Sequence, residues 1–386
     1  MIPVFKPAVG EEEWLAIREC LETGWMGLGP KTAAFEQAFG EFLGTEHVVG
    51  RNSCTAALDM AFKILGVTEG EVITTSLTFV SSNHAILYNN CTPVFADIRP
   101  DTLTLDPDDV RRKITPQTRA IMLVHYAGHP CEMDAFTALA DEHGLYLIED
   151  CAHAAGSTYN GKPVGTFGHA GCFSFHAVKN LPTADSGMVC FREEALDREA
   201  RKWSWLGIDK DTYTRMYDTS AYKWMYGVEH VGFKYHGNSV MASLGLVSLR
   251  YVDRDNAYRR QLSDWYEQAL SGCDEIGRIP VPHGCEPSRH LYQVLVPNRN
   301  EVMLALNRQE IYPGVHYRVN TDYPMYADQR GRCPNAERAS ESLISLPLHL
   351  GLSFQDVTRV ARTLTEVLGS STPPPGGRLA PHRREP

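Results

Sequence analysis

Nowhere do the 386 residues contain an apolar run approaching the roughly 20 residues of a membrane helix, so no spanning segment is expected. The opening, MIPVFKPAVGEEEW, lacks a charged start followed by an apolar stretch, so no signal peptide is expected either. CxxC pairs and ligand-like cysteine clusters are missing. The ten cysteines are scattered, and Cys172 and Cys190 fall in apolar runs, the usage of reduced, core-filling thiols in a cytoplasmic protein. Positive charge is in deficit: 37 Lys and Arg against 47 Asp and Glu leave a formal net charge of -10. A nucleic-acid partner would require a basic face and is not expected, and any phosphate site must be local. No GxGxxG follows a strand-like run, which removes support for a dinucleotide site.

What is present is alternation. HVVGRN, EVITTS, TPVFADI, AIMLVHY and LYLIED are strand-like, and helix-like stretches separate them, including one at about Ser81 to Tyr88 and one at Met133 to His143. Alternation of this kind predicts βαβ units and a mostly parallel sheet. A long helix is expected from about Ser239 to Leu270. A smaller C-terminal unit follows, closed by a helix that Ser353 caps and whose apolar positions are Val357, Val360, Leu364 and Val367. The expected division is a large domain over residues 1–250 with an N-terminal arm, a smaller α+β domain over 251–369, and a disordered Pro- and Arg-rich tail over 370–386.

The chemistry concentrates between Ile148 and Gly187. One apolar run ends in Glu149 and Asp150, and a second, Gly171 to Phe175, is followed by the lone Lys179 within SFHAVKN. Ligand-binding groups of α/β proteins gather where strands end. A lysine in such apolar surroundings loses preference for its ammonium form and becomes a nucleophilic amine suited to Schiff-base chemistry. A carboxylate such as Asp150 can pair with a protonated pyridine nitrogen, and Ser174 offers a hydroxyl to a phosphate. Taken singly, Asp150 reads as a loop cap and Lys179 as a solvated lysine; their order and setting favour the site.

The segment resembles the sugar aminotransferases of the DegT/DnrJ/EryC1/StrS family, on Glu149, Asp150, His153, Phe173, Ser174, Phe175, Lys179, Asn180 and Leu181. The resemblance covers about residues 3 to 368. It implies the pyridoxal-phosphate-dependent transferase fold type I: a mostly parallel seven-stranded sheet sandwiched by helices, plus a smaller α+β C-terminal domain. It further implies pyridoxal 5'-phosphate on Lys179, with Asp150 at the ring nitrogen and His153 near the phenolic oxygen. Cys54, Thr55, Ala56 and Ser174 would hold the phosphate, with Cys54–Thr55 standing where the family has Gly-Thr. Phe79 would stack on the ring, although an aromatic there is otherwise more often core. His125 is either a polar loop residue or a supporting group.

The GFKYHGNSV stretch resembles the segment that reaches a neighbouring subunit's cofactor phosphate, so a homodimer with shared sites is implied. The cofactor contact is placed at His236, with Lys234 and Asn238 as alternatives. By the same resemblance the donor is L-glutamate and the acceptor a nucleotide-linked keto-sugar, first of all a dTDP-4-keto-6-deoxyhexose, with 3-keto sugars and cyclitol ketones as alternatives. A dehydratase of the same family would carry histidine in place of Lys179. A silent regulator would not need Asp150, Lys179, Ser174 and Thr55 together. No single arginine can be assigned from sequence to the donor carboxylate.

Overall fold

A computed structural model describes residues 1–217, 219, 222 and 224–369; the expected tail lies outside the described residues. Seven strands form the main sheet: β1 (Val48–Arg51), β2 (Glu71–Thr75), β3 (Thr92–Ala96), β4 (Thr118–Val124), β5 (Tyr146–Asp150), β6 (Ala170–Ser174) and β7 (Gly187–Phe191). Their order is β1-β7-β6-β5-β4-β2-β3. β3, β2, β4, β5 and β6 pair in parallel, and β7 alone runs antiparallel to its neighbours β6 and β1. The expected mostly parallel sheet is therefore present.

The strands read as near-continuous apolar runs because both faces are covered. Neighbouring residues point to opposite sides. Val72, Met122 and Ile148 pack with the helix Cys54–Ile64, whereas Ile73, Ile121 and Leu147 pack with Phe136 and Leu139 of the helix Met133–His143. A third cluster joins Phe35 and Phe39 of the helix Pro30–Leu43 to Phe173 and Phe175. All ten cysteines are free and eight are buried, which suits their apolar settings.

The C-terminal part has its own antiparallel sheet, Gly277–Arg278, Tyr292–Leu295 and Leu343–Leu346, and its own core around Leu262, Val294, Ile344 and Leu364. Its last helix, Phe354–Gly369, begins as expected at Ser353, whose Oγ accepts from the Asp356 N–H at 3.2 Å while Asp356 accepts from the Ser353 N–H at 2.8 Å. The N-terminal strand Ile2–Pro3 pairs with Ile311–Tyr312, so the first residues dock on the C-terminal part.

One element differs from expectation. The long helix over 239–270 is two helices, Ser239–Leu249 and Val252–Ala269. Arg250 and Tyr251 form a tight turn, their N–H groups reaching back three residues to Val247 and Ser248. Both side chains grip Glu12, at 2.6 and 2.5 Å, an anchor from distant sequence that periodicity cannot reveal.

Candidate active site

The C-terminal ends of β5 and β6, the start of the helix Cys54–Ile64 and the Thr78–Ser82 corner enclose a cavity of about 400 Å³. Asp150, Ser174, His153, Lys179, Cys54, Thr55 and Phe79 all line it. The adjacent carboxylates Glu149 and Asp150 face opposite ways. Glu149 turns from the cavity and accepts the N–H groups of Gly165, Phe167 and Gly168 at 2.6 to 2.8 Å, with His125 Nε2 at 3.0 Å. His125 is thereby a supporting group. Asp150, buried, accepts from Ser82 Oγ at 2.7 Å and from the Ala152 N–H at 3.0 Å, which fixes its plane. Burial raises its pKa above the ordinary carboxylate range, and the Ser82 and Ala152 bonds and Lys179 partly oppose this.

Lys179 lies on the turn after β6, its N–H bonded to His176 O at 2.8 Å. The next residue pins that turn: Asn180 Nδ2 donates to Asn256 Oδ1 at 2.7 Å and to Ser288 O at 2.8 Å, and Asn180 Oδ1 accepts from His290 Nδ1 at 3.1 Å. The Lys179 ammonium has no hydrogen bond or salt bridge to any described residue, and desolvation lowers its pKa to about 8, with Cys54 and Asp150 pulling it upward. The residue is half-buried only because it fronts the cavity. At pH 7 about a tenth of the amine is uncharged, hundreds of times more than for an ordinary lysine. Capture of pyridoxal phosphate by the cofactor-free protein should therefore quicken about tenfold for each unit of rising pH up to about pH 7 and level off above about pH 8. Growth of the visible absorption band at each pH measures this; a rise continuing beyond about pH 9 would show an ordinary lysine.

The phosphate end is a helix start. Ser53 Oγ caps it by accepting from the Ala56 N–H at 3.1 Å. The Ala56 amide is thus already taken and Ala56 does not line the cavity; the Cys54 and Thr55 N–H groups, beyond reach of any helical carbonyl, remain available. Gly187 sits against this start because a Cβ there would come within 2.6 Å of both the Cys54 nitrogen and Phe173 O. Phe79 is 55% exposed, which a core residue would not be, and its ring lies 5.8 Å from that of Tyr317.

His153 and His290 are buried, with centroids 4.5 Å apart, and His316 and Tyr317 complete the wall. Burial, reinforced by Lys179, holds His153 and His290 well below the ordinary histidine range and His316 at about 4, so all three are neutral imidazoles. His153 Nδ1 accepts from the Ala127 N–H at 3.3 Å, which puts the proton on Nε2, 3.0 Å from Tyr317 Oη. Sequence reading named neither Ser82, His290 nor Tyr317 for the site; the helix Val80–Tyr88 and the two loops that carry them meet it only in space.

His236 stands outside this cavity, on a bridge beside Arg51, with its ring against Trp205 and its Nδ1–H given to Gly237 O at 2.6 Å. Within one protomer it does not approach Lys179's pocket.

A carboxylate, an unbonded amine, open helix N–H groups with two hydroxyls, and an exposed ring fit the charges and shape of a phosphorylated pyridine aldehyde. Fold and site together define a pyridoxal-phosphate-dependent sugar aminotransferase. The chain belongs to the DegT/DnrJ/EryC1/StrS aminotransferase family, whose model matches residues 7–365. It is 35% identical over 382 residues to the spore coat polysaccharide biosynthesis protein SpsC of Bacillus subtilis, covering 95% of this chain and 97% of that one. Among solved structures, it is similar to the aminotransferase TlmJ of Streptoalloteichus hindustanus, with 36% identity, TM-score 0.90, and 96% and 100% of the two chains covered. The putative sugar aminotransferase Spr1654 of Streptococcus pneumoniae, in its PMP form, has 30% identity, TM-score 0.90, and 96% and 99% coverage.

Proposed function

We propose that this sugar aminotransferase moves an amino group from L-glutamate to a nucleotide-linked keto-sugar, with a dTDP-4-keto-6-deoxyhexose as the leading acceptor. The observation that carries the reading is the unbonded, desolvated Lys179 sharing a cavity with the buried Asp150. Bound pyridoxal phosphate supplies an electron sink for the substrate carbon that bears nitrogen. Lys179 would hold the cofactor through its amine, and its free amine would be the group placed to move a proton at that carbon. Asp150 would hold a proton on the ring nitrogen, and the exposed Phe79 ring would be available to pack on the cofactor. The Nε2–H of His153 orients Tyr317, and neutral histidines leave the pocket's few charges to the ligand. Cys54, Thr55 and Ser174 receive the phosphate.

The working unit is proposed to be a homodimer with shared sites. Of the three residues considered for the neighbour's phosphate, Asn238 is spent capping the helix Ser239–Leu249 through the Met241 N–H at 3.0 Å, and His236 has given its Nδ1–H to Gly237. Lys234 is exposed, stacks over Trp205 at 3.6 Å and has no ion pair among the described residues, which makes it the better cation. Sedimentation should give a dimer; a fully active monomer would remove the shared site.

The decisive test is a half-reaction series followed by visible absorption. Glutamate should bleach the band of the lysine-bound cofactor, and one member of a keto-sugar panel should restore it. Restoration only by a 3-keto sugar or cyclitol ketone would reassign the acceptor, and failure of glutamate to bleach the band would refute the donor.

A further inference from the structure

A second cavity, about 660 Å³, lies behind the first, between the N-terminal arm, the Lys179 turn, the helix Val252–Ala269 and the loop after Leu346. It shares Phe5, Val178 and Lys179 with the cofactor pocket, so a ligand lodged there presents one end to the same lysine.

Its wall contains a buried guanidinium with no salt bridge among the described residues; Asp255, the nearest acid acting on it, is itself paired with Arg254. Arg259 is only 6% exposed, donates through Nη1 to Leu348 O at 3.2 Å, leaves Nε without a partner, and forms no salt bridge with a described residue. Burial lowers its pKa to about 10, which still leaves it cationic at neutral pH. Buried charges are ordinarily paired, because an unpaired one is costly. Lys6, exposed at the rim, is likewise without an ion pair among the described residues.

The acids nearby are mostly engaged. Glu12 holds Arg250 and Tyr251, Glu13 accepts from the Gly10 N–H at 2.8 Å, and Asp255 pairs with Arg254 at 2.9 Å. Glu11 remains at the rim. His349, pushed down to about 4 by burial, is neutral. Two unpaired cations, one buried and one exposed, match two carboxylates. A diphosphate would set its denser charge against Glu11 with only one buried guanidinium to neutralise it.

We propose that Arg259, with Lys6 at the rim, is the recognition site for the carboxylates of the amino-acid donor, a small dicarboxylate whose amino end reaches Lys179. This rests on the aminotransferase reading and assigns the arginine that sequence leaves open. The guanidinium lines the cavity with its Nη2 N–H groups spent on no described residue, which suits a charge-assisted carboxylate contact.

Calorimetric titration of the cofactor-loaded enzyme with glutarate tests it, because glutarate has both carboxylates and no amine to transfer. Its binding is read without turnover, so a wrong acceptor cannot obscure the result. Arg259→Met should weaken glutarate about 10- to 100-fold. Lys6→Ala, at an exposed site that leaves the fold intact, should weaken it about two- to fivefold. Unchanged affinity in both variants would overturn the proposal. So would pyrophosphate binding that is lost in Arg259→Met while glutarate binding persists, since the site would then serve the acceptor's phosphates. If Arg259→Met does not fold, an unaltered glutarate affinity in Lys6→Glu is sufficient to overturn it.

Discussion

Lys179→Ala should lose the visible absorption of the lysine-bound cofactor altogether and about four orders of magnitude in turnover, while its melting temperature stays near that of the parent. Both losses follow from one atom. Among the described residues, Nζ is the only amine lining the cavity, and no other described lining group can form a Schiff base there. The proton-transfer role goes with it, because the remaining candidates are unsuited: Asp150 is committed to Ser82 and Ala152, and His153 is held neutral with its Nε2–H directed at Tyr317. Folding is little affected because the Lys179 side chain makes no hydrogen bond or salt bridge to a described residue, and the turn is held by Asn180 through three bonds to other elements. The fold therefore has no use for the ammonium that the site needs. Absorption spectra, single-turnover kinetics and a thermal melt check the three parts, and a Lys179→Ala enzyme that still transaminates would remove the assignment.

How much of this was legible depended on whether the signal was local. β5 and β6 announced themselves as apolar runs, and the residues at their ends, Asp150 and Ser174, were placed by strand geometry alone. Ser353 and the helix after it were equally readable, because a cap and its helix are neighbours in sequence. The same local logic erred at 239–270, where continuous helical patterning concealed a turn stabilised by Glu12 from the far end of the chain. At Ala56, the amide expected at the phosphate instead donates to Ser53 Oγ, the cap of its own helix.

The opposite wall was illegible for a physical reason. Ser82 enters from the helix Val80–Tyr88 and His290 and Tyr317 from two loops far along the chain, and no periodicity links them to Lys179. Arg259 is the sharpest case: on the sequence it is one of several arginines on a polar helix, and only its burial without a salt bridge among the described residues distinguishes it. Desolvation and pairing are properties of the folded surroundings, so unpaired charge is the kind of feature that sequence conceals best.

Asp150→Asn is the second large effect: cofactor retained, fold retained, turnover reduced by about two to three orders of magnitude. The side chain keeps its shape, and the hydrogen bonds survive by reorientation. The amide oxygen can go on accepting from the Ala152 N–H, while its NH₂ donates to Ser82 Oγ, whose own proton turns to Thr78 Oγ1 at 2.9 Å. What disappears is the negative charge. A neutral amide cannot hold a proton on the ring nitrogen, so electron withdrawal through the ring weakens just where carbanionic charge develops. Because that charge exists only on the way to the transition state, kcat should fall while the affinity for glutarate stays within a factor of about two. Stopped-flow bleaching by glutamate gives the first quantity and calorimetry the second. Undiminished turnover would mean that the buried carboxylate is held by Ser82 for packing alone, and the electrostatic role would have to be sought elsewhere in the pocket.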